Sequence, residues 1–239
     1  MERKSIWALS ISIFLLFTVA NSEVEEVKQA LVQFMQKLSS GNVPRDQNWG
    51  WNTSSDPCND RWMGVICDAR LQSVRKIVLD GFNLSGTLDA SSVCITKSLA
   101  VLSLEGNSVA GEIPDEISNC KQMTHLFISD NQFSGAIPAS LSQLSNLKRL
   151  EVSNNNLSGE LPDFSRISGL VSFLAENNNL SGRIPDFSFS NLMQFNVSNN
   201  RLSGPIPDVR GRFGADSFSG NPGLCGKPLS NTCPPTSTS

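Results

Sequence analysis

The chain has 239 residues, a hydrophobic fraction of 39% and a net charge of −3, enough apolar content for a packed core. The charge is too small and too evenly spread for a nucleic-acid partner. One histidine and six cysteines offer no cluster spaced for a metal, and no cofactor is expected.

The first element is a leader. Arg3 and Lys4 precede an apolar run from Ile6 to Val19, too short for a bilayer span and suited to a signal peptide. Ala20-Asn21-Ser22 puts small residues at −3 and −1 of a cut after Ser22, and a cut after Ala20 fits nearly as well. Residues 1–22 are therefore set apart from the fold. Without them the chain keeps 17 basic and 21 acidic residues. No later apolar run approaches about 18 residues, so no membrane insertion is expected from the rest. In an exported chain the cysteines read as disulfides. Five sequons, at Asn52, Asn83, Asn156, Asn179 and Asn196, read as glycosylation sites.

Residues 23–73 read as an N-terminal cap. Val24, Val27, Leu31, Phe34, Met35 and Leu38 fall at helical spacing, with Glu23, Glu25 and Glu26 suiting the start of the helix. A tryptophan-rich stretch follows, with Trp49, Trp51 and Pro57-Cys58 leading to Trp62-Met63-Gly64-Val65-Ile66-Cys67.

Residues 74–213 hold six copies of one pattern. Its best copy runs Leu99-x-x-Leu102-x-Leu104-x-x-Asn107-x-Val109-x-Gly111-x-Ile113-Pro114, and copies start at 74, 99, 123, 147, 170 and 192. Spacings of 22 to 25 residues lie in the leucine-rich-repeat range. Alternating apolar residues make a short strand with one buried face. Asn107, Asn131, Asn155, Asn178 and Asn200 are placed to bond backbone as the chain leaves each strand, and Phe82 replaces Asn in the first copy. The glycine permits a tight bend, and the proline ends the extended run. One copy cannot bury its own apolar face, so the stack is the folding unit. The expected fold is a leucine-rich-repeat solenoid. It is a curved right-handed superhelix with a parallel strand ladder on the concave face and a mostly irregular or 3-10 convex side. The last three copies are shorter, which predicts a thinner convex side there.

Residues 214–233 read as a C-terminal cap, through Phe218-Ser219-Gly220-Asn221-Pro222-Gly223-Leu224-Cys225 and Cys233. Residues 234–239, rich in Pro, Ser and Thr, have the composition of an unstructured stalk.

The repeat resembles the plant-specific subtype of leucine-rich repeat. The segments Pro57-Cys58 to Cys67 and Phe218 to Gly226 resemble the two caps of plant receptor-like kinase ectodomains. Six repeats with this ending are most similar to the small-ectodomain group, which includes pollen receptor-like kinases and catalytically impaired relatives. The resemblance covers residues 23–233. It implies an extracellular partner-binding domain, a co-receptor or regulatory receptor, held at the outer face of the plasma membrane by a transmembrane helix beyond this sequence. The expected partner is another receptor ectodomain or a short secreted peptide. The alternative is a secreted inhibitor of a cell-wall-degrading enzyme, free in the apoplast.

No kinase motif is found, and the chain is not read as an enzyme. A serine-hydrolase site would have to use His125, with Asp130 one candidate partner, and a recognition role for His125 is the better reading. Four variable positions per copy face the concave side. Among them Val101, Ser103, His125, Phe127, Arg149, Glu151 and Leu174 are the candidate partner-binding residues, with Phe127 and Leu174 expected to be exposed apolar anchors. Cys58–Cys67 and Cys225–Cys233 are expected to close short loops in the caps; Cys94 and Cys120 then remain near corresponding points of adjacent coils, where a bridge is expected over the alternative of two free thiols.

Overall fold

The computed structural model describes residues 25–40 and 49–234. The expected leader over 1–22 and the tail from 235 onward lie outside the described residues.

The cap helix α1 covers residues 25–38, and a short helix α2 spans Ala90–Val93. The apolar spacing of the cap sequence explains α1's inner face: Leu31, Phe34, Met35 and Leu38 are buried. The strands β1 (Val65–Cys67), β2 (Val74–Val78), β3 (Val101–Ser103), β5 (His125–Phe127), β7 (Arg149–Glu151), β9 (Ser172–Leu174) and β11 (Gln194–Asn196) form one sheet in that order. The cap strand β1 is antiparallel to β2, and every later pair is parallel. Alternation sends one residue per strand into the core: Ile77, Leu102, Leu126, Leu150, Phe173 and Phe195 are buried at successive rungs.

The repeated asparagines make a ladder that is half-buried at Asn107, Asn131, Asn155 and Asn178 and buried at Asn200. Asn131 Nδ2 donates to Leu104 O of the preceding coil at 2.8 Å and to Ile128 O of its own at 3.2 Å, while its Oδ1 accepts from Val109 N at 3.0 Å. One side chain thus satisfies backbone groups of two coils that would otherwise be buried unpaired. Asn221 of the C-terminal cap repeats these contacts with Val197 O, Phe218 O and Leu202 N. The cap is therefore a partial seventh coil, a rung not anticipated from the sequence.

A second sheet was not anticipated either. Strands β4 (Ala110–Glu112), β6 (Gln132–Ala136), β8 (Asn156–Glu160), β10 (Asn179–Gly182), β12 (Arg201–Pro205) and β13 (Gly223–Cys225) pair in parallel. All but the cap strand β13 contain the repeat's glycine. Gly135 has a φ of +72°, and a Cβ there would lie 2.9 Å from the Glu112 side chain. After the proline, Asp115–Asn119 and Ala139–Gln143 form 3-10 turns. The shorter coils instead fill their interior with Phe164, Phe173, Phe187, Phe189 and Phe195, whose neighbouring rings have centroids 5.1–5.9 Å apart.

Both ends are tied down. Lys37 O and Leu38 O at the end of α1 accept from Thr87 N and Gly86 N at 3.1 and 2.8 Å. A Cβ on Gly86 would lie 1.8 Å from Lys37 O, so only glycine allows this approach. Lys37 pairs with the buried Asp89 at 2.7 Å, and Asp89 also accepts from Ser92 N as the N-cap of α2. Three disulfides, Cys58–Cys67, Cys94–Cys120 and Cys225–Cys233, are those expected from the sequence.

Candidate functional site

The outward side of the first sheet gathers the candidate residues into rows. Val101, His125, Arg149, Ser172 and Gln194 follow Lys76 in strict register, and Ser103, Phe127, Glu151, Leu174 and Asn196 follow Val78. Neighbours in a row are about 4.8 Å apart. That closeness corrects part of the sequence reading. Phe127 and Leu174 are half-buried rather than exposed, because in-register side chains flank them. The Phe127 ring lies 5.6 Å from the His125 ring. Ser103 is buried, and its hydroxyl donates to Asp80 Oδ1 at 2.6 Å, so it serves the fold rather than the surface. Val101, His125 and Glu151 are half-buried, and Arg149 is exposed.

The electrostatics divide this face. Partial burial, then the cations Arg149, Lys148 and Lys76, hold the His125 imidazole below its usual pKa. Its Nδ1 lies 2.7 Å from Thr124 Oγ1, so its hydrogen-bond partner is a threonine hydroxyl rather than an aspartate. Partial burial, then Asp80, Glu151 and Asp130, push the Glu105 carboxyl up. Burial likewise raises Glu151, against Arg149 and the Ser172 hydroxyl and with help from Glu176. Among the described residues no cluster of His, Cys, Asp and Glu could hold a metal ion.

Two features were missed from sequence. Ile66 of the cap pairs in register with Lys76 and is 48% exposed, so the cap extends the face. Lying between two cap cysteines, it gave no sign of an outward position. The other is the column Gly81, Gly106, Asp130, Asn154, Asn177, Asn199, treated as variable surface. All six have positive φ, from +54° to +69°. Asn199, Asn177 and Asn154 each donate through Nδ2 to the preceding side chain, at 2.8, 2.6 and 2.8 Å, ending on Asp130 Oδ1. The signal was present: only Gly, Asn and Asp occur there, the residues that best tolerate left-handed backbone.

Family models agree with this architecture. The leucine rich repeat N-terminal domain matches residues 26–68, and leucine rich repeat models match 97–157 and 191–211. A probable inactive receptor kinase of Arabidopsis thaliana is 35% identical over 118 residues, which is 49% of this chain and 18% of that protein. The crystal structure of a pollen receptor kinase 3 aligns with a TM-score of 0.74 and 31% identity, over 85% of this chain and 99% of that one. A chain of the BIR3–SERK2 complex from Arabidopsis thaliana aligns with a TM-score of 0.57 and 32% identity, over 86% and 96% of the two. The chain belongs to the leucine-rich-repeat ectodomains of plant receptor kinases. It spans less than a fifth of the length of the first curated relatives it matches. Among the described residues no helix is long and apolar enough to cross a membrane.

The ectodomain's sequons differ in setting. Asn52, Asn83 and Asn156 are exposed, while Asn179 and Asn196 are half-buried. Asn83, Asn156 and Asn179 occupy the position just after the ladder column, which holds Phe82 in the first coil, and Asn156 and Asn179 begin strands of the second sheet. Asn196 stands in the Phe127 row, and its Oδ1 accepts from Ser198 N at 3.0 Å.

Proposed function

We propose that this ectodomain recognises an extended peptide or a second receptor ectodomain over the ladder face of its second to fourth coils. The observation that carries this reading is the cluster of His125, Phe127, Arg149 and Glu151 in adjacent rows, where side chains face outward from the core. Aromatic and Arg residues are the usual anchors of interfaces. Val101 and Leu174 extend the patch along its two rows. The seven strands span about 29 Å, which an extended peptide of about nine residues crosses. The receptor resemblance favours this reading over an enzyme inhibitor. In the whole protein the ectodomain would stand at the outer face of the plasma membrane, joined through the stalk to a transmembrane helix.

Glycans at Asn83, Asn156 and Asn179 would project from one flank beside the first, fourth and fifth coils, leaving the flank of the second and third coils as the bare side from which a partner reaches the ladder face. The test is Phe127→Ala in the secreted protein, measured against receptor ectodomains and secreted peptides captured by the wild type. Binding should weaken by about 1–2 kcal/mol with the thermal midpoint nearly unchanged. A loss of folding would make Phe127 a core residue and remove the reading. As a second arm, Gln132→Asn completes a sequon with Phe133-Ser134. Confirmed glycosylation there without loss of binding would remove the docking window.

A further inference from the structure

The ladder face is charged in an unbalanced way. Asp80, Glu105, Asp130, Glu151 and Glu176 are at least partly exposed on it, and its cations Lys76 and Arg149 share the opposite row. Among the described residues the salt bridges are Lys28–Glu25 and Lys37–Asp89, both involving α1, and neither compensates these carboxylates. Gathering like charges beside the half-buried Glu105 and Glu151 is unfavourable, and an incoming cation relieves it.

Beside these carboxylates the left-handed column changes character. In the third to sixth coils it carries Asp130, Asn154, Asn177 and Asn199, joined side chain to side chain. In the first two coils it is Gly81 and Gly106. A Cβ on Gly81 would meet nothing within 4 Å, and one on Gly106 would meet only Gly81 N at 3.9 Å. Left-handed backbone does not by itself demand glycine there, since Asp130 and Asn154 adopt φ of +55° and +54°. The result is an open shelf bordered by Asp80, Glu105 and Asp130. The half-buried Val78 and Phe127 stand on the strands leading to it, with the exposed Ile66 one strand further.

Resting on the ladder-face reading above, we propose that this shelf receives the Lys or Arg side chain of an extended peptide segment whose apolar residue lies over Val78 and Phe127. Charge complementarity chooses the occupant. A carboxylate-rich segment would face three acidic neighbours, whereas a basic side chain meets all three and needs the room that a Cβ-bearing residue at Gly106 would take. Apolar contact supplies affinity, and the charges supply orientation and selectivity.

The experiment selects seven-residue random peptides displayed on phage against the secreted full chain, then measures synthetic copies of the winners. Winners should pair an Arg or Lys with an apolar residue, and replacing the basic residue by Gln should weaken binding about tenfold or more. Gly106→Asn fills the shelf in a conformation the column already uses. Asp130→Asn removes charge while keeping the Oδ1 that Asn154 bonds. Both should weaken binding about tenfold with the thermal midpoint unchanged. Acidic or uncharged winners, or a library that yields none, would overturn the proposal. Winners sensitive to Phe127→Ala but indifferent to Gly106→Asn and Asp130→Asn would remove the shelf and leave the docking face standing. Indifference to all three variants would remove the docking face as well. Sedimentation of the chain alone as a dimer that Gly106→Asn dissociates would assign the face to a second copy instead.

Discussion

The first three coils and the last three build the same ladder from different materials. Early coils are longer and line their interior with aliphatic residues such as Leu102, Ile113, Ile117 and Leu126, with 3-10 turns after the proline and the Cys94–Cys120 bridge between coils. Late coils are shorter, and rings take the place of the missing chain: Phe164, Phe173, Phe187, Phe189 and Phe195 are all buried. A tightly packed interior must be filled either by chain or by side chain. The difference teaches that the strand register, kept by the asparagine ladder in both halves, is independent of how the opposite side is filled. Variation at the outward positions of the strands can therefore occur without disturbing the coil.

The largest test of that comparison is a pair of truncations at equivalent rungs. Phe173→Ala should cost about 3–5 kcal/mol and exceed Leu126→Ala, because Phe173 packs against Phe164, Phe187 and Phe195 together. Chemical denaturation of the two variants decides it. A larger loss for Leu126→Ala would mean the rings fill space without adding stability.

A smaller effect lies at the N-terminal end, which has an ion pair where the C-terminal end has an asparagine rung. Burial pushes the Asp89 carboxyl up, but Lys37 and the Ser92 and Ser91 donors outweigh it and hold it at about 2, below the usual 3.8. The folded-state pKa is depressed, so its stabilisation is complete above about pH 4 and is lost as pH falls toward 2. Asp89→Asn should therefore lower stability by about 2 kcal/mol at neutral pH, with the gap to wild type closing between pH 4 and 2. A gap that stays constant over that interval would show that Asp89 acts only as a neutral cap of α2.

Much of this was legible in the sequence, for a physical reason. Repetition multiplies every weak signal: one Asn after a strand says little, but five recurring every 22 to 24 residues fix the turn, the strand and the stacking axis. The same regularity set the rows of His125 and Phe127. What stayed hidden depends on contacts between coils or with the caps. The burial of Ser103 follows from its bond to Asp80 one coil away, and the outward position of Ile66 follows from an antiparallel pairing that no repeat contains. The second sheet was missed because its strands, such as Gln132–Ala136 with Phe133 alone buried, are too rich in small residues to show alternation.

The smallest effect sharpens the other contrast, between glycine and asparagine in the left-handed column. Asn177 accepts from Asn199 and donates to Asn154 at a φ of +57°, on an exposed surface. Asn177→Gly loses both side-chain bonds but keeps the conformation without strain, and exposed bonds of this kind are worth little, so about 0.5 kcal/mol should be lost. Asn177→Ala loses the same bonds and also holds a Cβ in a region that alanine disfavours, adding about 1 kcal/mol. Thermal or urea unfolding of the two variants separates backbone from side chain in a way neither does alone. If alanine costs no more than glycine, the left-handed turn is not what selects residues in this column. Asn154 and Asn177 would then be retained for the bonded amide chain itself, and Gly81 and Gly106 would need the open shelf as their whole explanation.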